Sequence, residues 1–317
     1  MTQAGIVQGR QIGAPELDQV RHLLANHPHW SRRRLSQELA TLWNWRNGAG
    51  QLKDMAARSL LLKLEERGWI DLPPRRMAPV NRMRHKRLPP SGLAAPQAPV
   101  NESLERLLPL VVSECSRGEG VAGQRALFDA LLHQHHYLSY RSSVGENLQY
   151  LVGDAQGHPL ACVLFGAAAW QCASRDRYIE WDGAARAQHL HLIANNSRFL
   201  ILPWVRVPQL ASHVLGRIAR RLSRDWQAKY GHRIYLLETF VQRERFTGTA
   251  YQAANWVRVG QTKGRTRQDR PDGTWHHVAI KDVYLYPLHR RFRQYLQGQT
   301  TRSTPDDHYD SISQHHR

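Results

Sequence analysis

Residues 198–206 read RFLILPWVR, residues 207–230 read VPQLASHVLGRIARRLSRDWQAKY, and residues 233–241 read RIYLLETFV. The first run is short, apolar and interrupted by Pro203, which suits a strand and is far too short to cross a bilayer. Pro208 then opens a helix of roughly 209–230. Within it Leu210, Val214, Ile218 and Leu222 fall on one face, and Arg217, Arg220, Arg221 and Arg224 fall on the other. The run 233–241 is a second strand. Strand, long helix and strand in this order set the core of a mixed α/β domain.

Outward from this core, residues 149–170 (QYLVGDAQGHPLACVLFGAAAW) read as two strands around a turn at Asp154–Gly157. Residues 101–118 and 123–135 read as helical, and 175–197 as helix and loop. Downstream come a short helix at 249–256, a strand from Val257 to Gly260, a basic loop from Lys263 to Gly273, and a last strand at 278–286 (VAIKDVYLY). Residues 298–317 are polar and read as a disordered tail.

The N-terminal part is different. Residues 14–26 form a helix with Pro15 in its first turn. Ser31 caps a second over 32–43, and residues 51–67 form a third that stops at Gly68. Trp69 to Pro74 is extended. Three helices and an extended piece make the pattern of a winged helix-turn-helix, in which the third helix can enter a major groove. The fold class expected is therefore α+β: an N-terminal winged helix-turn-helix over 1–74, then an α/β domain over 101–297. Between them, residues 75–100 read as a linker with a basic first half (Arg75, Arg76, Arg82, Arg84, Lys86, Arg87) and a Pro/Ala-rich second half.

The charge points to a polyanion. The chain has 44 Lys+Arg against 26 Asp+Glu, a net charge of +18 over 317 residues. Such an excess is expected to attract DNA or RNA, whose condensed counterions are released on binding. The candidate contacts are Arg32, Arg33, Arg34, Lys53 and Arg58 in the helical module, and Arg75 and Arg76 in the linker. In the larger domain they are Arg217, Arg220, Arg221, Arg224, Lys263 and Arg265. Cys115, Cys162 and Cys172 form no CxxC pair and make an odd count, which fits a reducing, cytoplasmic setting. No signal-peptide pattern and no membrane span is read.

Four places can carry chemistry. The polar run Asn195-Asn196-Ser197-Arg198 precedes a strand; it can read a base edge or hold a phosphate, or cap its own backbone as a loop. Glu238 lies in an apolar strand. It is a candidate general base, or an acceptor from a nucleobase, or an acid paired with an arginine. Asp282 can join Glu238 as an acidic pair from neighbouring strands that holds Mg²⁺, as a metal-dependent nuclease would. Tyr251, close to Trp256, can stack on an unpaired base or pack in the core. The histidine clusters match no metal-ligand spacing, and Gly260 to Arg265 lacks the P-loop order.

The element order from about 148 onward resembles the Gcn5-related N-acetyltransferase fold. That resemblance implies a helix N-terminus holding the pyrophosphate of coenzyme A, at Val205–Ser212 here, and a tyrosine acid at Tyr251. The stretch 205–212 has no glycine-rich turn. A second resemblance covers about 130–290 and rests on longer motifs: Arg175–Trp181 (RDRYIEW), His189–Trp204 (HLHLIANNSRFLILPW), Leu237–Phe240, Tyr251–Trp256, Gly260–Arg265 and Lys281–Tyr284. Trp43–Asn47 and Leu52–Ala56 match as well. These are similar to the DruA-type proteins of the Druantia anti-phage systems. The resemblance implies a role in phage defence or in mobile elements, with DNA and other defence proteins as partners. The expectation is a DNA-binding defence component. The alternatives are a mobile-element nuclease or strand-transferase, a DNA-modifying acyltransferase, and an adaptor for partner proteins.

Overall fold

The computed structural model describes residues 5–7, 10–46, 50–74, 92–115, 122–264 and 279–298. The chain divides into two compact units, one within Met1–Leu88 and one, apart from residues 230–232, from Pro89 onward.

The first unit is helical. A short antiparallel pair, β1 (Gly5–Val7) and β2 (Arg10–Ile12), precedes α1 (Ala14–Asn26), α2 (Arg32–Leu42) and α3 (Asp54–Glu66). The helices start where their caps place them. Glu16 accepts the Gly13 N–H at 2.8 Å ahead of α1, and Ser31 Oγ accepts the Arg34 N–H at 3.2 Å at α2. Leu17, Val20, Leu35, Leu39, Leu60 and Leu64 fill one core. Burying each contributes roughly 1.5–3 kcal/mol. Among the described residues, 69–74 form no strand pairing.

The second unit is built on a seven-stranded sheet. Its elements are α4 (Leu104–Leu107), β3 (Val111–Glu114), α5 (Ala122–His135), β4 (Asn147–Gly153), β5 (Pro159–Ala167), α6 (Ala173–Ile179) and α7 (Gly183–His189). They continue with β6 (Ile193–Ile201), α8 (Leu210–Tyr230), β7 (Leu236–Gln242), α9 (Thr249–Ala253), β8 (Val257–Gln261), β9 (Lys281–Pro287) and α10 (Phe292–Leu296). The strand order is β3-β4-β5-β6-β7-β9-β8. All neighbours are antiparallel except β6 and β7, which run parallel and are joined by α8. The mixed sheet is the one that a strand–helix–strand order requires.

Three boundaries differ from the sequence reading. Residues 101–118 are not one helix: after four helical residues the β-branched pair Val111-Val112 extends as β3 along β4. Residues 193–197, read as helix and loop, open β6. Asn195 and Asn196 have poor strand propensity, but both are paired to β5 and β7. The end of the stretch read as linker is built into the second unit, since Val100 bridges Val205 and Ala94 is buried.

Candidate functional site

The site forms where β6 and β7 part. Their parallel pairing runs only from Ile193–Leu236 to Asn196–Thr239. Beyond it β6 follows β5 and β7 follows β9. A β-bulge drives the parting. Leu164 pairs with Arg198 and Phe165 with Asn196, so Ser197 is left without a partner on β5. A bulge bends its strand and raises its twist. Asn196 supports it, because its Nδ2 donates to the carbonyls of Leu164 and Arg198, both at 3.1 Å. The polar run that reads as a loop is thus a bulged strand, and one of its amides does bond backbone as an Asn in a loop would.

The parting leaves a cavity of about 750 Å³ at the carboxyl ends of the parallel strands. Open α/β sheets bind ligands at such a place. Tyr251 of α9 lines it with Asn196 and Thr239. Its hydroxyl donates to Asn196 Oδ1 at 2.6 Å, and Thr239 Oγ1 donates to the Asn196 carbonyl at 3.0 Å. Burial holds the Tyr251 phenol well above the ordinary tyrosine range, so it keeps its proton at neutral pH. Gly248, with φ +76°, starts α9. A Cβ there would run into the Tyr284 ring, so only glycine lets α9 lie close enough for Tyr251 to reach Asn196.

The cavity carries Arg198, Arg245 and Lys281, and among the described residues no carboxylate lines it. Arg198 donates Nε to the Ser139 carbonyl at 3.2 Å and Nη1 to the Ser197 carbonyl at 2.7 Å. Neither partner neutralises its charge. His136 also lines the cavity; its Nδ1 accepts the Leu138 N–H at 3.2 Å. Burial, with Arg198 adding to it, lowers the His136 pKa to about 4.

Glu238 is not in this cavity. Its neighbours along β7, Leu237 and Thr239, face one side of the sheet, and Glu238 faces the other, under α6. There Arg175 Nη1 donates to Glu238 Oε2 at 2.9 Å, and the Ala169 N–H donates to Oε1 at 2.6 Å. Both side chains are fully buried. Burial raises the Glu238 pKa, with Arg175 and the Ala169 N–H pulling against it. Arg175 also donates Nε and Nη2 to Asp176, which in turn accepts from Arg186 at 2.8 Å. The sequence reading missed Arg175. The signal was present, since an arginine inside Arg175–Trp181 stands ahead of an apolar strand carrying one acid.

The expected Glu238–Asp282 pair does not form. Asp282 stands opposite Val241 in the β7–β9 register, an odd number of residues from Glu238, so the two point to opposite faces. Asp282 accepts from Arg258 at 2.8 Å and lies 3.6 Å from Arg243. These two residues do not supply a Mg²⁺ site together. Among the described residues no group of three His, Cys, Asp or Glu is placed to hold a metal ion.

The structure does bring the α8 arginines together. Arg217, Arg220, Arg221 and Arg224 line a separate groove of about 410 Å³ with Val112. Arg221 is anchored: it donates to Asp225 at 2.6 Å and to the Val112 carbonyl at 2.8 Å. Arg217, Arg220 and Arg224 make no hydrogen bond or ion pair among the described residues. In the first unit, Arg32 is turned inward. It grips Glu65 with two bonds of 2.9 Å and the Pro73 carbonyl at 2.6 Å. Arg34 lies over the Trp30 ring at 4.4 Å. Arg33, Lys53 and Arg58 are exposed, as is Lys263 in the second unit. Arg75, Arg76 and Arg265 lie outside the described residues.

The family model described as Druantia protein DruA matches residues 63–287, well over half of the chain. The chain belongs to the DruA family. The match begins within α3 and ends with β9, so the DruA-family region holds the bulge, the cavity and the α8 arginines. No curated protein matches the chain. Among solved structures, this DruA-family chain is similar to spermidine/spermine N-acetyltransferase SpeG from Vibrio cholerae in complex with manganese ions. That match has 11% identity and a TM-score of 0.32, over 60% of this chain and 97% of that one. The V. cholerae spermidine N-acetyltransferase in complex with CoA and spermine gives 11% identity and a TM-score of 0.34, over 56% and 92%. A putative acetyltransferase from Acinetobacter baylyi ADP1 gives 10% and 0.28, over 44% and 63%. Likeness at this level says nothing about substrate.

Coenzyme A is the group the acetyltransferase-like order implies. Three groups at the entrance to α8 are closed to its pyrophosphate. Pro208 has no N–H, the Leu210 N–H is taken by the Val207 carbonyl at 3.3 Å, and Ser212 Oγ turns back onto the Gln209 carbonyl at 3.0 Å. The cations and aromatic rings of the DruA-family site stand instead in the cavity between β6 and β7. All three cysteines are buried free thiols. Among the described residues no helix is long and apolar enough to cross a membrane.

Proposed function

We propose that this chain is a DNA-binding component of a Druantia-type anti-phage defence system, whose second unit lays the α8 arginine groove against the phosphate backbone. The observation that carries the reading is the trio Arg217, Arg220 and Arg224. They stand on one helix stripe beside Arg221, without a hydrogen-bond or ion-pair partner among the described residues. Like charges at i, i+4 spacing, as in Arg220 and Arg224, cost a helix a few tenths of a kcal/mol per pair. A polyanion repays that cost by releasing its counterions. Arg33, Lys53 and Arg58 in the helical unit add exposed positive charge of the same kind, and Lys263 extends it.

The family supplies the defence context, in which other defence proteins are the natural partners; a mobile-element setting is the neighbouring alternative. The nuclease version of this reading loses its acidic pair, because Glu238 and Asp282 face opposite sides of the sheet. The test is equilibrium binding of the full chain to a duplex across a salt series. The log–log slope is about −0.9 for each phosphate neutralised. Replacing Arg217, Arg220 and Arg224 together by Gln should lower the affinity and flatten the slope. Binding that is absent, or indifferent to salt and to these replacements, sinks the reading.

A further inference from the structure

We propose that the cavity between β6 and β7 receives one nucleotide unit of a DNA strand, unstacked from its neighbours, with its base among the aromatic side chains and its phosphate on Arg198, Arg245 and Lys281. The inference deepens the DNA-binding reading and rests on it.

Size, charge and shape agree. Pockets for small molecules span about 300–1,000 Å³, and this one holds about 750 Å³. That is room for a base, a sugar and a phosphate. Among the described residues three cations line it without one acid, which suits an anionic ligand. Arg198 is half-buried and leaves Nη2 without a protein acceptor among the described residues. A cation removed from water in this way lacks the counter-charge that buried charges ordinarily have, and a phosphate oxygen supplies it.

The rest of the wall suits a flat heteroaromatic ring. Tyr137 and Phe246 meet edge to face at 5.2 Å, and the Arg245 guanidinium lies 4.7 Å above the Tyr137 ring. Phe246 is 46% exposed although it is large and apolar, which places an unfilled stacking surface at the mouth. Aromatic and guanidinium planes are the surfaces on which unpaired bases stack. Deeper in, Phe199 packs against Tyr251 at 6.2 Å. The Tyr251, Asn196 and Thr239 side chains spend their donors within the protein, which leaves hydroxyl oxygens on this wall to accept from the N–H of a base edge. The α8 groove, on separate residues, is then free to hold the flanking backbone.

The same chemistry is shared by a free nucleotide and by the nucleotide part of coenzyme A, and the experiment separates these sources. Binding of the full chain is measured to a paired duplex, to the same duplex with one unpaired thymine, to free dTMP and to coenzyme A. The unpaired thymine should tighten binding about tenfold over the paired duplex, the size of one base stack. Phe246→Ala and Arg245→Gln, both at exposed positions, should each remove that preference while leaving the paired-duplex affinity in place. Equal binding of the two duplexes, or a preference that survives both replacements, overturns this inference and leaves the DNA-binding reading standing. Free dTMP or coenzyme A binding in place of a duplex preference overturns the strand-borne source. Failure to bind any duplex overturns both readings.

Discussion

The Arg175 guanidinium and the Glu238 carboxylate meet at 2.9 Å with neither side chain exposed. They tie α6 to the middle of β7 through the sheet face away from the cavity. Removing one partner of a buried pair leaves the other charge uncompensated, at about 3–5 kcal/mol. Glu238→Ala should therefore lower the unfolding free energy by that amount in a denaturant titration. Asp282→Asn should cost less, since Asp282 is buried but its arginine partners are 42% and 52% exposed and reach water. Equal costs for the two variants would show that the Glu238 pair is not the anchor described.

The arginines at the start of α2 divide by what they touch. Arg32 holds Glu65 of α3 and the Pro73 carbonyl, so Arg32→Ala should destabilise the helical unit by roughly 1–3 kcal/mol. Arg33→Ala should leave stability within about 0.5 kcal/mol and reduce DNA affinity. Thermal unfolding and duplex binding of the two single variants check this, and a reversed pattern would refute it.

For the α8 groove the quantity to read is the salt slope. With each of Arg217, Arg220 and Arg224 neutralising one phosphate, the triple Gln replacement should reduce the slope's magnitude by nearly 3. Arg221→Gln should act differently, because Arg221 is held by Asp225 and by Val112 of β3. It should lower stability more than it changes the slope. A triple variant with the parent's slope would remove α8 from the DNA interface.

His136 gives the protein a pH dependence of defined sign. Its pKa falls from 6.5 to about 4 in the folded state, through burial and then Arg198. The unfolded chain takes up the proton first as pH falls. The stability tied to neutral His136 is full above pH 6.5 and is lost as pH drops toward 4, by up to about 3 kcal/mol. Protonation would also end the acceptance of the Leu138 N–H by Nδ1. Unfolding midpoints followed between pH 7 and 4 should fall less steeply in His136→Asn than in the parent chain; parallel curves would rule out this residue as the source.

Gly248 tests how α9 is placed. Ala at φ +76° is strained and meets the Tyr284 ring. Gly248→Ala should destabilise by more than about 1 kcal/mol and shift the Tyr251 environment, seen as a changed aromatic circular dichroism signal. A variant as stable as the parent with the same signal would mean that α9 is not held by this close approach.

The sequence alone determined the parts of this protein that depend on near neighbours. Residues 209–230 had to be a helix with its arginines on one stripe, because spacing by three and four residues fixes a helical face whatever the helix packs against. The caps at Ser31 and the turn at Asp154–Gly157 were likewise local. Most of the motifs that carried the DruA resemblance lie within 130–290 and inside the matched span 63–287, while Trp43–Asn47 and Leu52–Ala56 precede that span.

Only the tertiary structure decided the partners. Glu238 lies 63 residues from Arg175 and Arg32 lies 33 from Glu65, and no local pattern states which distant charge a side chain meets. The face reached by Asp282 depends on the β7–β9 register. The polar run 195–198 could be read as a loop because Asn disfavours strands; the bulge that accommodates it needs β5 beside it. The cavity exists because that bulge parts two strands that are 43 residues apart at Asn196 and Thr239, a relation that only the closed sheet creates.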